Sequence, residues 1–253
     1  MKPLFRLLQL VYCTYALALF IMLMFVVLPF VFVFALFGKP TSGNLLYKAC
    51  ACWGKIWYVL VGIRHSEIYE SPHDTTQQYI FTANHISYMD IPAIVRCIHQ
   101  PVRVLGKYEM VKYPIFGIIY GAAVVLVDRK HAQKRAESVR ALKAALQQGI
   151  SIFIFPEGTF NETGNPLKDF YDGAFRIAIE TQTPIKPLLF LDTHERMHYR
   201  GLFELTTGRS RVVYMQEVDV QGYGPHQLPE LKQKVYSQME EGLRRYKTYP
   251  YQA

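Results

Sequence analysis

A histidine, a serine and an aspartate lie close together in the segment FTANHISYMDIP, residues 81–92. If a carboxylate holds one ring nitrogen of a histidine, the other nitrogen is left to accept a proton from a substrate. On one continuous helix, the five-residue spacing of His85 and Asp90 would set the two side chains about 140° apart. We therefore expect His85 in a turn after a strand, and Asp90 in the first turn of a helix that begins between Ser87 and Ile91.

Ser87 offers a second chemistry, as a nucleophile activated by His85. It lacks a strained G-x-S-x-G elbow, however, and either Ser87 or Asp90 could cap the predicted helix. The cluster thus favours direct activation of a substrate hydroxyl by His85. The alternative is a histidine that only completes a turn.

Five short runs predict the strands that must position this cluster. They are rich in Val, Ile and Phe and bounded by Gly, Pro or polar residues: QYIFTAN, VRVLG, AVVLVDR, SIFIFP and PIKPLLFLD. Apolar residues at helical spacing predict a helix in HAQKRAESVRALKAALQQG, ending at Gly149, and a last helix from about Leu228 to Arg245. The alternation predicts a single α/β domain with a largely parallel or mixed sheet flanked by helices.

Three of these runs end in unusual polar residues. NHISYMD follows YIFTA, DR follows AVVLV, and PEGTFNETG follows SIFIF. Ligands of α/β sheets bind at the carboxyl ends of the strands, where loops and helix N-termini meet. The three polar segments are therefore expected to share one site.

On these residues the sequence resembles the 1-acylglycerol-3-phosphate acyltransferase family of membrane-bound lysophospholipid acyltransferases. The shared motifs are N-H-x-x-x-x-D at 84–90, an arginine at a strand end in Asp128-Arg129, F-P-E-G-T at 155–159, and a proline-containing strand at 183–187. The resemblance covers residues 60 to 220 and implies an O-acyltransferase of phospholipid synthesis. It implies that an acyl thioester, either acyl-CoA or acyl-carrier protein, acylates a lysophospholipid such as 1-acyl-glycerol-3-phosphate, giving phosphatidic acid without any other cofactor.

The resemblance implies four catalytic residues. His85 would take the proton of the attacking hydroxyl and Asp90 would orient the imidazole, help that is worth about 100- to 10,000-fold in rate. Lys107 and the backbone N–H of Gly158 are the implied donors to the tetrahedral oxyanion.

Four more residues are implied to bind substrate. Arg129 would grip the phosphate through its guanidinium, and Thr159 would donate its hydroxyl to the same group. Glu157 would hold the F-P-E-G-T loop or the glycerol moiety, and Asn84 precedes the catalytic histidine in its motif.

Two departures from the family pattern lie near the implied headgroup site. Family members often carry Arg or Ser after F-P-E-G-T, where this chain has Phe160 and Asn161. They also often carry a lysine shortly before a Gly-Ala pair, where this chain has only Lys168 nearby. Both departures leave the acceptor headgroup open, and a lyso-ornithine-type lipid is another candidate.

The N-terminal region predicts membrane attachment. The segment from Leu7 to Gly38 contains no charged residue and is longer than the ~20 apolar residues that span a bilayer. No cleavage site closes it, so a signal peptide is not expected. It either spans the bilayer or dips and returns, with a kink expected at Pro29.

The stretch 44–63 predicts a helix with lysines on one face and both tryptophans, Trp53 and Trp57, on the other. Indoles favour the headgroup level, so we expect this helix to lie on the bilayer, with a buried helix of the main domain as the alternative. Residues 1–63 are thus predicted to be membrane-anchoring and 64–253 to form the catalytic domain. The distribution of Lys and Arg favours a catalytic domain that faces the cytoplasm. The membrane that we expect is the inner membrane of the cell.

Composition narrows the partners. The formal net charge of +8 implies an anionic partner, and acidic lipid fits better than nucleic acid because no aromatic–basic platform is recognisable. The four cysteines are interpreted as reduced packing residues without a metal role. The stretch YPIFGIIYGAAVVL, 113–126, either lines a slot for an acyl chain or is a core helix running into a strand.

Two other function classes compete with the acyltransferase. HERMH at 194–198 matches the H-E-x-x-H zinc-protease pattern, with Glu217 as a third ligand. It follows a strand-like run and stops at Gly201, so we expect a loop with both histidines solvated and no metal. A membrane-surface lipid-binding protein explains the charge and the tryptophans but not three polar clusters at strand ends.

Overall fold

A seven-stranded sheet organises the computed structural model, which describes residues 3–38, 40–128 and 130–247. The strands are β1 Ile63–Tyr69, β2 Ile80–Ala83, β3 Val102–Lys107, β4 Val124–Val127, β5 Ser151–Ile154, β6 Ile185–Phe190 and β7 Gly208–Tyr214. The helices are α1 Pro3–Ala35, α2 Thr41–Leu60, α3 Asp90–Cys97, α4 Phe116–Ala123, α5 Ala132–Gln147, α6 Gly173–Thr181, α7 Thr193–Arg196 and α8 Leu228–Tyr246.

The strand order is β1-β7-β6-β2-β5-β3-β4, and every neighbouring pair is parallel except β6 and β7. Thr82 of β2 is opposite Ile154 of β5, and Phe153 of β5 is opposite Val104 of β3. The carboxyl ends of these three strands therefore lie at one edge of the sheet, which we call the carboxyl edge. The predicted mixed α/β fold is confirmed, and the five predicted strands are β2 to β6.

The central strands are covered on both faces, which explains their continuous apolar sequences. Alternate residues point to opposite faces. Ile80 packs into a cluster that includes residues of α5, α6 and α8. The next residue, Phe81, packs into a second cluster that includes residues of α3.

The strand β1 is not among the strands that the sequence predicts. The predicted helix at 44–63 ends earlier, at Leu60, and Gly62 makes a turn with φ +71° before β1 begins. Among the described residues the strand pairs only with β7, and most of its residues are exposed or partly exposed, including the polar His65 and Glu67. An edge strand of this kind lacks the apolar run that marks a central one.

The helix α1 is long and apolar enough over Leu4–Ala35 to cross a membrane, by length and composition. It packs along α2: the indole N–H of Trp57 donates to the carbonyl of Ala16 at 3.0 Å, and Trp53 lies 4.6 Å from the ring of Phe20. Lys55 is exposed on α2. The tryptophan face is thus covered by α1 instead of lying open to headgroups, and the division of the chain at residue 63 stays a prediction.

The stretch 113–126 contains α4 followed directly by β4, as one of its two interpretations predicts. Ile119 of α4 packs with Met24 and Val27 of α1. This contact places α4 between the sheet and α1.

Candidate active site

The first two site residues meet where β2 gives way to α3. His85 follows β2, and Asp90 is the first residue of α3, within the range that the sequence predicts. Nδ1 of His85 lies 2.8 Å from Oδ2 of Asp90, and the side chains are 15% and 0% exposed. The predicted contact between the two side chains is therefore present, in a buried setting.

The carboxylate of Asp90 is fixed by the turn that precedes it. Its Oδ2 also accepts the backbone N–H groups of Ile86 at 2.7 Å and Ser87 at 2.9 Å. Because an ionised carboxylate only accepts hydrogen bonds, Nδ1 of His85 must be the donor in this pair. Its Nε2 is then unprotonated in the neutral ring, and it has no hydrogen-bond partner among the residues that the structure describes.

Ser87 holds the turn and has no nucleophile geometry. Its hydroxyl is buried, donates to the carbonyl of Met197 at 2.5 Å and accepts the N–H of Met89 at 3.0 Å. The N-cap position of α3 is occupied by Met89, whose side chain makes no capping hydrogen bond. The prediction that Ser87 or Asp90 is the N-cap residue is therefore wrong. The hydroxyl instead joins the turn to the segment that follows α7.

The F-P-E-G-T segment after β5 closes over the same histidine. The ring of Phe155 stacks on the His85 ring, with centroids 3.9 Å apart and planes at 13°. The backbone N–H of His85 donates to Oε1 of Glu157 at 2.9 Å. The backbone carbonyl of His85 accepts the N–H of Asn161 at 2.7 Å. The two motifs meet because β2 and β5 are neighbours in the sheet.

Glu157 holds this loop from inside the protein. The side chain is fully buried, and its second oxygen accepts the backbone N–H of Lys168 at 3.0 Å. Burial raises the pKa of Glu157 to about 8, while the N–H bonds from His85 and Lys168 act in the opposite direction. Of its two predicted roles, the geometry supports holding the loop.

Gly158 makes the turn that this loop requires. Its φ of +73° is a backbone conformation that suits glycine, and its N–H donates to the carbonyl of Phe155 at 3.1 Å, with Pro156 next in the turn. The N–H therefore has a partner inside the loop. Its predicted role as an oxyanion donor stays a prediction and requires this bond to be exchanged for one to substrate.

Comparison with known proteins places this site in a family. A family model described as Acyltransferase matches residues 64–191, just over half of the chain, including both motifs at the carboxyl edge. The chain belongs to the acyltransferase family.

Curated relatives of this acyltransferase carry the name 1-acyl-sn-glycerol-3-phosphate acyltransferase. The Haemophilus influenzae protein is 26% identical over 219 residues, which are 86% of this chain and 88% of that protein. The Escherichia coli K12 protein is 32% identical over 65% of this chain and 66% of its own length. The Cocos nucifera protein is 35% identical over 117 residues, and the match spans only 38% of that longer relative.

A solved structure shares the fold. The crystal structure of the 1-acyl-sn-glycerophosphate (LPA) acyltransferase PlsC from Thermotoga maritima matches with a TM-score of 0.73 over 97% of both chains. The sequence identity is 22%, so this likeness concerns the fold.

Lys168 is a residue of the acyltransferase site to which the sequence motifs assign no role. Besides its backbone bond to Glu157, its Nζ donates to the hydroxyl of Thr159 at 2.6 Å. Thr159 is exposed at the mouth of the loop. The only signal in the sequence was that Lys168 is the lysine nearest to the position where the family often carries one.

Asn84 has a structural place instead of the predicted contact with substrate. The side chain is 1% exposed; its Nδ2 donates to the carbonyl of Phe190 at 3.0 Å, and its Oδ1 accepts the Phe190 N–H at 2.8 Å. Both ends of the amide are thus engaged by the end of β6. Asn84 fixes the end of β2 against β6 and so positions the residue that follows it.

The two cationic residues predicted for the site are Lys107 and Arg129. Lys107 is exposed at the end of β3, two strands from β2, which is about 10 Å across the sheet. Arg129 lies outside the described residues; Asp128, just before it, follows β4 at the same carboxyl edge. The roles of both cations stay predictions.

An aromatic residue lies at one of the departures from the family pattern. The ring of Phe160 meets the His85 ring edge-on, with centroids 4.5 Å apart and planes at 65°. Tyr88 in turn meets Phe160 at 4.9 Å and 84°. The imidazole is therefore bordered by two phenyl rings.

The HERMH segment forms the short helix α7 and its exit, not a long helix. The rings of His194 and His198 lie 4.5 Å apart and are partly buried, so the expectation that both are solvated is wrong. Glu217 lies instead 3.9 Å from Nζ of the buried Lys186. No group of three side chains able to hold a metal occurs within residues 3–38, 40–128 and 130–247.

Proposed function

We propose that this acyltransferase moves a fatty acyl group from an acyl thioester to the free hydroxyl of a lysophospholipid, foremost 1-acyl-glycerol-3-phosphate, giving phosphatidic acid. One observation carries the proposal: a partly exposed imidazole whose Nδ1 is held by the buried Asp90 and whose Nε2 is without a partner among the described residues, beneath the F-P-E-G-T loop. The names of the curated relatives support this choice of acceptor.

The chemistry follows from the two ring nitrogens of His85. Nε2 takes the proton of the acceptor hydroxyl as its oxygen attacks the thioester carbonyl. The negative Asp90 stabilises the imidazolium that forms. When the tetrahedral intermediate collapses, the carbon–sulfur bond breaks, and the leaving thiolate takes the proton back from Nε2. The products are an ester and a free thiol, and no further cofactor enters.

The intermediate needs donors, and the acceptor phosphate needs cations. Lys107 and the Gly158 N–H are the proposed oxyanion donors. Arg129 and the Thr159 hydroxyl are proposed to bind the phosphate, and the Nζ of Lys168 on Thr159 supports a cationic pocket there.

We also propose where the reaction takes place. The apolar helix α1 and the net charge of +8 support a membrane enzyme that faces anionic lipid, with the catalytic domain on the cytoplasmic side of the inner membrane. A lysophospholipid would then reach His85 from the bilayer. The thioester, as acyl-CoA or acyl-carrier protein, would come from the aqueous side.

An acceptor panel tests the proposal. Purified protein in detergent micelles is given labelled acyl-CoA or acyl-carrier protein together with lysophosphatidic acid, lysophosphatidylcholine or a lyso-ornithine lipid, and the products are identified by mass spectrometry. We expect phosphatidic acid from the first acceptor and its loss in His85→Ala. Equal label incorporation by wild type and His85→Ala excludes the reaction, and exclusive use of the lyso-ornithine lipid reassigns the acceptor.

A further inference from the structure

Two phenyl rings border the imidazole of His85, the proposed base. Phe155 covers one face of the imidazole and Phe160 meets it edge-on, with ring centroids 3.9 Å and 4.5 Å away. Asp90 occupies Nδ1, and only 15% of the histidine side chain is exposed. Access to Nε2 is therefore narrow and bordered by phenyl rings.

Phe160 is the part of this wall that meets the imidazole edge-on. It follows the F-P-E-G-T segment directly, and its phenyl ring cannot hydrogen-bond water as a polar side chain would. It is held in place from its outer side by Tyr88, whose ring lies 4.9 Å away at 84°. Tyr88 itself is 42% exposed, so these two rings form a layer between the imidazole and the surroundings.

We propose that Phe160 is a specificity-determining residue that makes His85 select a lipid hydroxyl over water, so that the acyl group is transferred to the lipid and the thioester is not hydrolysed. The inference rests on the proposed acyl transfer. The lysophospholipid brings its hydroxyl on an apolar body that packs against the phenyl ring. A water molecule gains no such contact and loses hydrogen bonds beside the ring.

The competing step uses the same base. Nε2 would take a proton from water, the hydroxide oxygen would bond to the thioester carbon, and the carbon–sulfur bond would break. The thiolate would then recover the proton, leaving a fatty acid and a thiol. Both reactions release one thiol, but only transfer yields an ester, so the ratio of ester to thiol measures the selection.

The decisive variants are Phe160→Ser, which opens the wall, and Phe160→Leu, which keeps an apolar side chain. Thiol release and ester formation are measured together in detergent micelles with acyl-CoA and lysophosphatidic acid. We expect the ester-to-thiol ratio to fall about tenfold in Phe160→Ser, since an active site loses reaction control when water enters. The ratio should stay near the wild-type value in Phe160→Leu. Phe203→Ser removes a phenylalanine that is 52% exposed on another segment, and it should leave the ratio unchanged.

A second variant avoids dependence on the folding of Phe160→Ser. Tyr88→Ala removes the outer support of Phe160 and should lower the ratio by about threefold, since small misplacements near a reacting group are costly. An unchanged ratio in Tyr88→Ala or in a folded Phe160→Ser, or an equal fall in Phe203→Ser, overturns the proposal. Failure of the acyl transfer itself looks different, because His85→Ala would then consume thioester as fast as wild type.

Discussion

Two histidine–aspartate pairs lie at the carboxyl edge of the sheet. Nδ1 of His85 is 2.8 Å from Asp90 after β2, and Nδ1 of His131 is 2.7 Å from Asp128 after β4. The side chains of the first pair are 15% and 0% exposed, and those of the second are 64% and 12% exposed. The contact is the same, but the surroundings differ.

The surroundings decide what each pair can do. Asp90 is anchored by two backbone N–H groups, and its histidine is bordered by Phe155 and Phe160. The hydrogen bond from His131 holds the pKa of Asp128 below its ordinary value, but that ring points into solvent. An exposed histidine exchanges protons mainly with water. A histidine that is shielded and oriented can instead take the proton of a substrate hydroxyl placed against it.

The largest expected effect separates the two histidines. His85→Ala removes the general base and should lower the turnover of acyl transfer by about 100- to 10,000-fold. His131→Ala, the matched control, should stay within about twofold, as expected for an exposed side chain away from the reacting atoms. Turnover is measured as labelled phosphatidic acid formed at saturating substrates. Comparable losses in both variants would erase the distinction between the pairs.

The carboxylates provide the next test. Asp90→Asn keeps the shape of the side chain but removes the negative charge that stabilises the imidazolium, so turnover should fall about 100-fold with little change in KM. Asp128→Asn should leave both constants near wild type. A rise in KM alone for Asp90→Asn would show that Asp90 serves binding instead of the chemical step.

The sequence predicts those features of the fold and the site that depend on residues close together in the chain. Central parallel strands are apolar throughout because both faces are covered, so β2 to β6 could be predicted, and the turn between β2 and α3 brings His85 to Asp90. The edge strand β1 was missed because half of its residues face solvent. His131 and Asp128 can meet without help from the sheet, because they are only three residues apart in the chain. The sequence does not show that the ring of His131 is exposed to solvent.

Side-chain partners supplied by distant backbone could not be predicted. Asn84 has both ends of its amide on Phe190, and Ser87 bonds the carbonyl of Met197. These assignments depend on how β6 and the segment after α7 lie against the motif, which no spacing in the sequence reports. The contact between Phe160 and the ring of His85 could not be predicted either, because the two residues are far apart in the chain.

The substitution Glu157→Gln tests whether the hydrogen bonds of Glu157 hold the F-P-E-G-T loop against His85. Each of its oxygens accepts a backbone N–H, and the amide nitrogen in Glu157→Gln cannot accept one. We expect the free energy of unfolding to fall by about 2 kcal/mol, the cost of an unsatisfied buried donor. Denaturant unfolding in detergent measures it, with the exposed Glu162→Gln as the control. A stability equal to wild type would mean that these bonds do not hold the loop.

The same carboxyl group also predicts how stability depends on pH. In the unfolded chain Glu157 loses its proton near the ordinary pKa of 4.5, whereas in the folded protein burial keeps it until about 8. The folded state therefore binds more protons in this window, and its contribution to stability is lost as pH rises from about 4.5 to about 8. Relative to Glu157→Gln, the wild-type free energy of unfolding should decline across the window. Parallel curves for the two proteins would show that Glu157 does not titrate in this way.

The central claim is that Asp90 keeps the proton on Nδ1 of His85 and leaves Nε2 as the base. Nitrogen-15 NMR of histidine-labelled protein reads this directly, with the His85 signals assigned by their loss in His85→Ala. In the neutral ring we predict a protonated Nδ1 and a bare Nε2 in wild type, and a mixture of tautomers in Asp90→Asn. A wild-type His85 with its proton on Nε2 would contradict the proposed mechanism.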